Sequence, residues 1–163
     1  MIDRLDQNII LQLQKNARLS NVALAKLLNA SERTIRNRIA RLVDNGIIST
    51  TVVPNLEVLG FNFIGIMGLQ IHRADLRKVA AELARHPSIC YLVNVTGQYD
   101  LIATVLTRSA KDFSDFVENT ISTIPSVIRT ETFVCLNVYK GHGSGLDTGQ
   151  IIGSIEVDDS KKG

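Results

Sequence analysis

Ser31-Glu32-Arg33-Thr34-Ile35-Arg36-Asn37-Arg38-Ile39-Ala40-Arg41-Leu42-Val43-Asp44-Asn45-Gly46 is the stretch on which the reading of the chain turns. Ser31 can cap a helix, because its hydroxyl accepts a first-turn backbone N–H that has no partner inside the helix. Ile35, Ile39, Leu42 and Val43 then recur at the spacing of one buried face. Gly46 ends the run where a left-handed residue is favoured. At about 100° per residue, Arg33 and Asn37 fall nearly opposite the apolar side with Ala40 beside them, and Arg36, Arg38 and Arg41 flank that stripe. The helix is apolar on one side and rich in guanidinium and amide donors on the other.

Working outward, Asp3 can cap an earlier helix that buries Leu5, Ile9, Ile10 and Leu13. Ser20 can cap a short second helix using Val22, Leu24, Ala25, Leu27 and Leu28. Two short helices, the second polar near its N-terminus, make a helix-turn-helix, which lays that second helix in the major groove of DNA. Arginine matches guanine and asparagine matches adenine in bidentate contacts, so Arg33 and Asn37 are the candidate base readers. Arg36, Arg38 and Arg41, with the hydroxyls of Ser31 and Thr34, are candidate phosphate contacts. Four arginines between positions 33 and 41 also suit a merely solvated face. The caps, the preceding helix and the β-branched run 47–53, which reads as a short strand or wing stopped by Pro54, favour nucleic acid.

Charge agrees with that division. The 163 residues carry a net charge of +2, but residues 1–50 hold eight Lys/Arg against four Asp/Glu, whereas 51–163 hold ten against twelve. Basic character is concentrated where the helices are. No stretch of about 18 uncharged apolar residues appears, so no membrane span is expected, nor is a signal peptide. Cys90 and Cys135 lie far apart in apolar surroundings and read as reduced residues of a cytoplasmic protein.

Residues 54–60, bounded by Pro54 and Gly60, read as a hinge after a first domain at 1–53. Beyond it the pattern alternates. Strands are expected at 61–71, 89–96, 99–107 and 127–139, with Gly65 and Gly68 weakening the first. A helix with Leu76, Val79, Ala80 and Leu83 inward stops at His86-Pro87, and a second, capped by Ser109, turns Phe113, Phe116, Val117, Ile121 and Ile124 inward as far as Pro125. The order βαββαβ is that of a ferredoxin-like unit at 61–140. Strict alternation leaves both sheet faces substantially apolar, yet two helices cover one face. A second copy of the chain is the simplest cover for the other, so a dimer is expected. The tail, 141–163, is expected to be largely disordered, with 151–157 able to add an edge strand.

Leu5-Asp6-xx-Ile9-xxx-Leu13-Gln14-xx-Ala17-Arg18, the 31–48 segment, Pro87-xx-Ile89, Gly97-Gln98-Tyr99-Asp100 and Pro125-xx-Val127 together resemble the Lrp/AsnC, or feast/famine, regulators. The resemblance runs from about residue 3 to 139. It implies an α+β protein: an N-terminal winged helix-turn-helix followed by a ligand-sensing and dimerisation domain that assembles to tetramers, octamers or larger. It further implies a nucleoid-associated regulator of transcription whose small effector, usually an amino acid, binds near Gly97, Gln98, Tyr99 and Asp100 at an interface between dimers. There an aspartate can meet an amino group while loop N–H groups receive a carboxylate. Gly97 equally suits a tight turn and Asp100 a cap upon it.

Two other functions suit parts of the sequence. Siroheme decarboxylase subunits share the architecture and use histidine and arginine around a tetrapyrrole; His72 is the candidate here. The Arg-rich helix and the Gly-x-Tyr-Asp loop favour the regulator instead. His72, His86 and His142 have no metal-ligand spacing, and no nucleophile–base order or Gly-rich phosphate loop is visible, so no enzyme, metal or cofactor is expected. The second alternative is an architectural protein that compacts DNA with little sequence preference.

Overall fold

In the computed structural model, which describes residues 2–139, the chain divides into two units between Val52 and Val53.

In the first unit, α1 (Arg4–Lys15) starts at Asp3, whose side chain accepts from the Asp6 N–H while the Asp6 side chain accepts from the Asp3 N–H. This capping box satisfies two donors that a bare helix end leaves unpaired. Ser20 caps α2 (Asn21–Leu28), which ends at Asn29 in the left-handed conformation. Ser31 caps α3 (Glu32–Asp44) through the Thr34 N–H. Gly46, with φ +65°, turns the chain back so that the Ile47 N–H reaches the Leu42 carbonyl at 2.8 Å. Ile9, Leu24, Ile35 and Leu42 are fully enclosed at the centre, packed by Leu5, Leu13 and Ile39. Burying each such side chain contributes roughly 1.5–3 kcal/mol.

Two features of the first unit differ from expectation. Val43, Val22 and Leu27 are exposed rather than inward, because each short helix offers one narrow stripe to a three-helix core and these residues sit at its margin. Segment 47–53 forms no strand: no other strand of the first unit lies among the described residues to pair with it, and β propensity without a partner does not make a ladder. Its anchor is Ile48, which packs on the helical core.

The second unit is a four-stranded antiparallel sheet in the order β2-β3-β1-β4. Its elements are β1 (Phe63–Ile71), α4 (Leu76–Leu83), β2 (Ile89–Asn94), β3 (Leu101–Thr107), α5 (Ala110–Phe116) and β4 (Val127–Val134). This is the expected βαββαβ order. Met67, Leu69, Ile71, Leu101, Ala103 and Val105 form the floor on which Val79 and Leu83 of α4 and Phe113 and Phe116 of α5 pack. Helix α5 continues through a wider turn of π pitch, Val117–Ile121, which carries Ile121 into the same core.

The glycines of β1 have a positive use. A Cβ at Gly65 would lie 2.6 Å from the Phe113 ring, and one at Gly68 would lie 2.7 Å from the Tyr99 ring on the other face. Both are places where an aromatic ring lies directly on the strand. Strand β2 departs from strict alternation, since Ile89 pairs with Val105 and Tyr91 with Thr104, leaving Cys90 as the extra residue of a bulge. Ile89 and Leu92 therefore share the helix-facing side. All four strands are shorter than expected: β1 begins at Phe63 and β3 at Leu101, while β2 ends at Asn94 and β4 at Val134, where ladder pairing starts or stops.

The stretch 54–60 is packed within the second unit. Leu56 and Phe61 rest with Ile64 against Cys90 and Leu106, and the Arg108 guanidinium lies 4.8 Å from the Phe61 ring centroid. The tail, with its expected edge strand, lies outside the described residues, as does His142.

Candidate nucleic-acid interface and effector loop

Helix α3 presents its polar side to solvent: Arg33, Arg36, Asn37, Ala40 and Arg41 are exposed while Ile35 and Leu42 are buried. The Arg33 and Asn37 side chains form no hydrogen bond or ion pair with another described residue. Ser31 and Thr34 are occupied at the helix start, with their hydroxyls 2.7 Å apart and the Thr34 N–H bound to Ser31 Oγ at 3.0 Å. Arg36 pairs with Glu32 one turn back at 2.5 Å, both well exposed; such surface pairs contribute well under about 1 kcal/mol, and Arg36 is readily released.

Arg38 and Arg41 differ. Both turn toward the start of α1, where Asp6 is completely buried. Arg38 Nη1 donates to Asp6 Oδ1 at 3.1 Å and also to Asp3, and Arg41 Nη2 donates to Asp6 Oδ2 at 2.5 Å. The Asp6 N–H and the Arg38 guanidinium hold the Asp3 carboxyl down at about 2. Burial pushes the Asp6 carboxyl upward, but the Asp3 N–H and the two guanidinium groups outweigh it and lower the net value. Asp3 was recognisable in the sequence as a cap, but nothing local linked Asp3 or Asp6 to arginines more than 30 residues away.

In the second unit the loop after β2 is fastened at several points. Gly97 has φ +116°, a conformation that suits glycine. Asp100 Oδ2 accepts the Ile71 N–H at 2.8 Å, and its own N–H donates to the Leu69 carbonyl at 2.9 Å. Gln70 donates to the Gln98 carbonyl at 2.7 Å, and Gln98 is exposed. The Tyr99 hydroxyl donates to Glu131, whose carboxylate raises the phenol above its ordinary pKa. The four loop residues are thus brought together at one end of the face opposite the helices, beside Gln70 and Glu131. His72 lies one residue beyond β1, exposed, with its N–H on the Ser126 carbonyl. Among the described residues no cluster of three or more His, Cys, Asp or Glu is placed to hold a metal.

The same face carries an apolar centre. Ile66, Tyr91 and Phe133 are 39%, 47% and 53% exposed, and register places them, with Ile102, on the side of the sheet away from α4 and α5.

Comparison with known proteins agrees with both halves. Residues 63–144 match the model of the Lrp/AsnC ligand-binding domain, and residues 2–49 match a winged helix-turn-helix DNA-binding model. The chain belongs to the Lrp/AsnC family. It is 36% identical over 140 residues to an uncharacterized HTH-type transcriptional regulator of Pyrococcus furiosus, spanning 85% of this chain and 94% of that one. HTH-type transcriptional regulator FL11 of the same organism is 30% identical over 141 residues, spanning 86% and 93%. The solved structure of Escherichia coli AsnC superposes with a TM-score of 0.82 at 28% identity, covering 86% of this chain and 96% of AsnC. A transcriptional regulator of Neisseria meningitidis solved as an L-Met complex gives 0.82 at 25% identity, covering 88% and 96%. This Lrp/AsnC protein is therefore a DNA-binding regulator of transcription by kinship as well as by form. No described helix is long and apolar enough to cross a membrane.

Proposed function

We propose that this Lrp/AsnC regulator reads DNA bases with Arg33 and Asn37 from α3, works as a dimer joined through the open face of its sheet, and answers to an amino acid. The observation that carries the DNA reading is the solvent-facing placement of an unengaged guanidinium and an unengaged amide one helical turn apart on a capped, rigid helix. Ser31, Thr34 and Arg36 line the approach, where hydroxyls, the helix N-terminus and a weakly held cation suit phosphate.

The dimer is supported by the apolar centre around Ile66, Tyr91 and Phe133, which water would otherwise cover. A two-fold contact of this face with itself needs no other protein and gives the assembly two recognition helices. The effector reading draws on the L-Met bound to the Neisseria relative and on the pinned loop here. Gly97, Gln98, Tyr99 and Asp100 would frame the ligand, with exposed Gln98 and the loop backbone as its polar contacts. Because one Asp100 oxygen already holds β1, its part is to keep the loop in place as much as to touch ligand.

Selection from a random duplex pool tests the function. The expected product is a two-fold symmetric site with half-sites about one helical turn apart; enrichment of no sequence would leave the low-specificity architectural reading in its place. A thermal-shift screen against the twenty amino acids tests the effector, since a ligand bound by the native assembly raises apparent stability.

A further inference from the structure

Two of the arginines expected at phosphate already have a partner inside the protein. Arg38 and Arg41 lie three residues apart on one flank of α3, and their guanidinium groups converge on the single carboxylate of Asp6. That carboxylate is 0% exposed, and both its oxygens are in use: Oδ1 by Arg38, Oδ2 by Arg41 and by the Asp3 N–H. The anchor is rigid, because Asp3 and Asp6 lock each other in the capping box that begins α1. An arginine swinging away to a DNA phosphate would leave Asp6 charged, buried and short of a partner, which is strongly disfavoured. Arg36, paired only with exposed Glu32, pays no such penalty.

We propose that Asp6 is a positioning residue for DNA reading: through Arg38 and Arg41 it sets the orientation of α3 that carries Arg33 and Asn37 into the groove. The two arginines are then internal fasteners and not phosphate contacts. This rests on the reading of α3 given above. The expected effect of removing Asp6 is opposite in sign to simple electrostatics. Removing an acidic residue from a DNA-binding unit ought to tighten binding through charge; removing a positioning carboxylate loosens it.

The test uses the full chain with a duplex bearing its selected site and with random duplex, each titrated at several salt concentrations. Asp6→Asn is expected to bind the selected site at least about tenfold more weakly, to lose discrimination against random duplex, and to keep or steepen its salt dependence as cations are freed. Binding equal to or tighter than the parent overturns the proposal. Arg41→Gln, which can still donate to Asp6, keeps the test alive if Asp6→Asn does not fold. It is expected to change the slope of log K against log salt by much less than the roughly 0.9 that one lost phosphate contact removes. A full loss of that slope with discrimination intact overturns the proposal. Amide exchange without DNA separates the two claims: Asp6→Asn is expected to speed exchange along α3, and unchanged exchange contradicts the anchoring. A parent protein that binds no duplex contradicts the DNA reading instead, whatever the exchange shows.

Discussion

At the scale of single residues, α3 divides its polar side chains between two duties. Arg33 and Asn37 face water with nothing to hold them, while Arg38 and Arg41 are fastened to Asp6. Replacing Arg33 or Asn37 by alanine should each cost about 1–3 kcal/mol on the selected site, measured by mobility shift, and leave thermal stability near that of the parent. The carboxylates carry a pH signature. Asp3 and Asp6 both titrate below the ordinary 3.8 in the folded protein, Asp3 at about 2. A carboxyl with a lowered folded value stabilises the fold above its unfolded pKa, and that support is lost as pH falls through the folded value. Stability of the first unit, followed by circular dichroism, is expected to fall from pH 3.8 down toward about 2, and Asp6→Asn to flatten that decline. An unchanged acid limb in the variant would contradict the described pairing.

At the scale of elements, what was legible in the sequence was whatever local chemistry decides. Asp3, Ser20, Ser31 and Ser109 each cap the helix they were expected to cap, because a cap is settled within three residues. The outward placement of Arg33 and Asn37 was legible from helical spacing for the same reason. Features that depend on distant partners were not. The 47–53 run had strand-forming residues but has no neighbour among the described residues to pair with. The bulge at Cys90 shows only in the register of β2 against β3, and the inward hold on Arg38 and Arg41 requires α1. Gly65 and Gly68 read as flaws in β1, yet they are the spaces into which Phe113 and Tyr99 fit. Gly68→Ala is expected to displace Tyr99 and its bond to Glu131, with a loss of roughly 1–3 kcal/mol as in other overpacked sites, measured by chemical denaturation. Ser31→Ala should cost about 1 kcal/mol through the lost cap.

At the scale of the whole molecule, the sheet has two unlike faces. One is filled by α4 and α5; the other keeps Ile66, Tyr91 and Phe133 against solvent with the 97–100 loop at its end. A charge placed in that apolar centre cannot be buried in a symmetric contact without its twin beside it. Phe133→Asp is therefore expected to yield monomers in analytical ultracentrifugation, with the helical unit still folded and binding to paired half-sites weakened far more than binding to one. Gln98→Ala, by contrast, is expected to leave the dimer intact while reducing any amino-acid-dependent thermal shift. Sequence reading by α3 is the claim on which the other roles depend. The measurement that tests it most directly is the ratio of affinities for selected and random duplex, at matched salt, in the parent and in the Arg33→Ala/Asn37→Ala double variant. The ratio is expected to collapse toward one while binding to random duplex weakens modestly through the lost charge; a ratio unchanged from the parent would contradict sequence reading by α3.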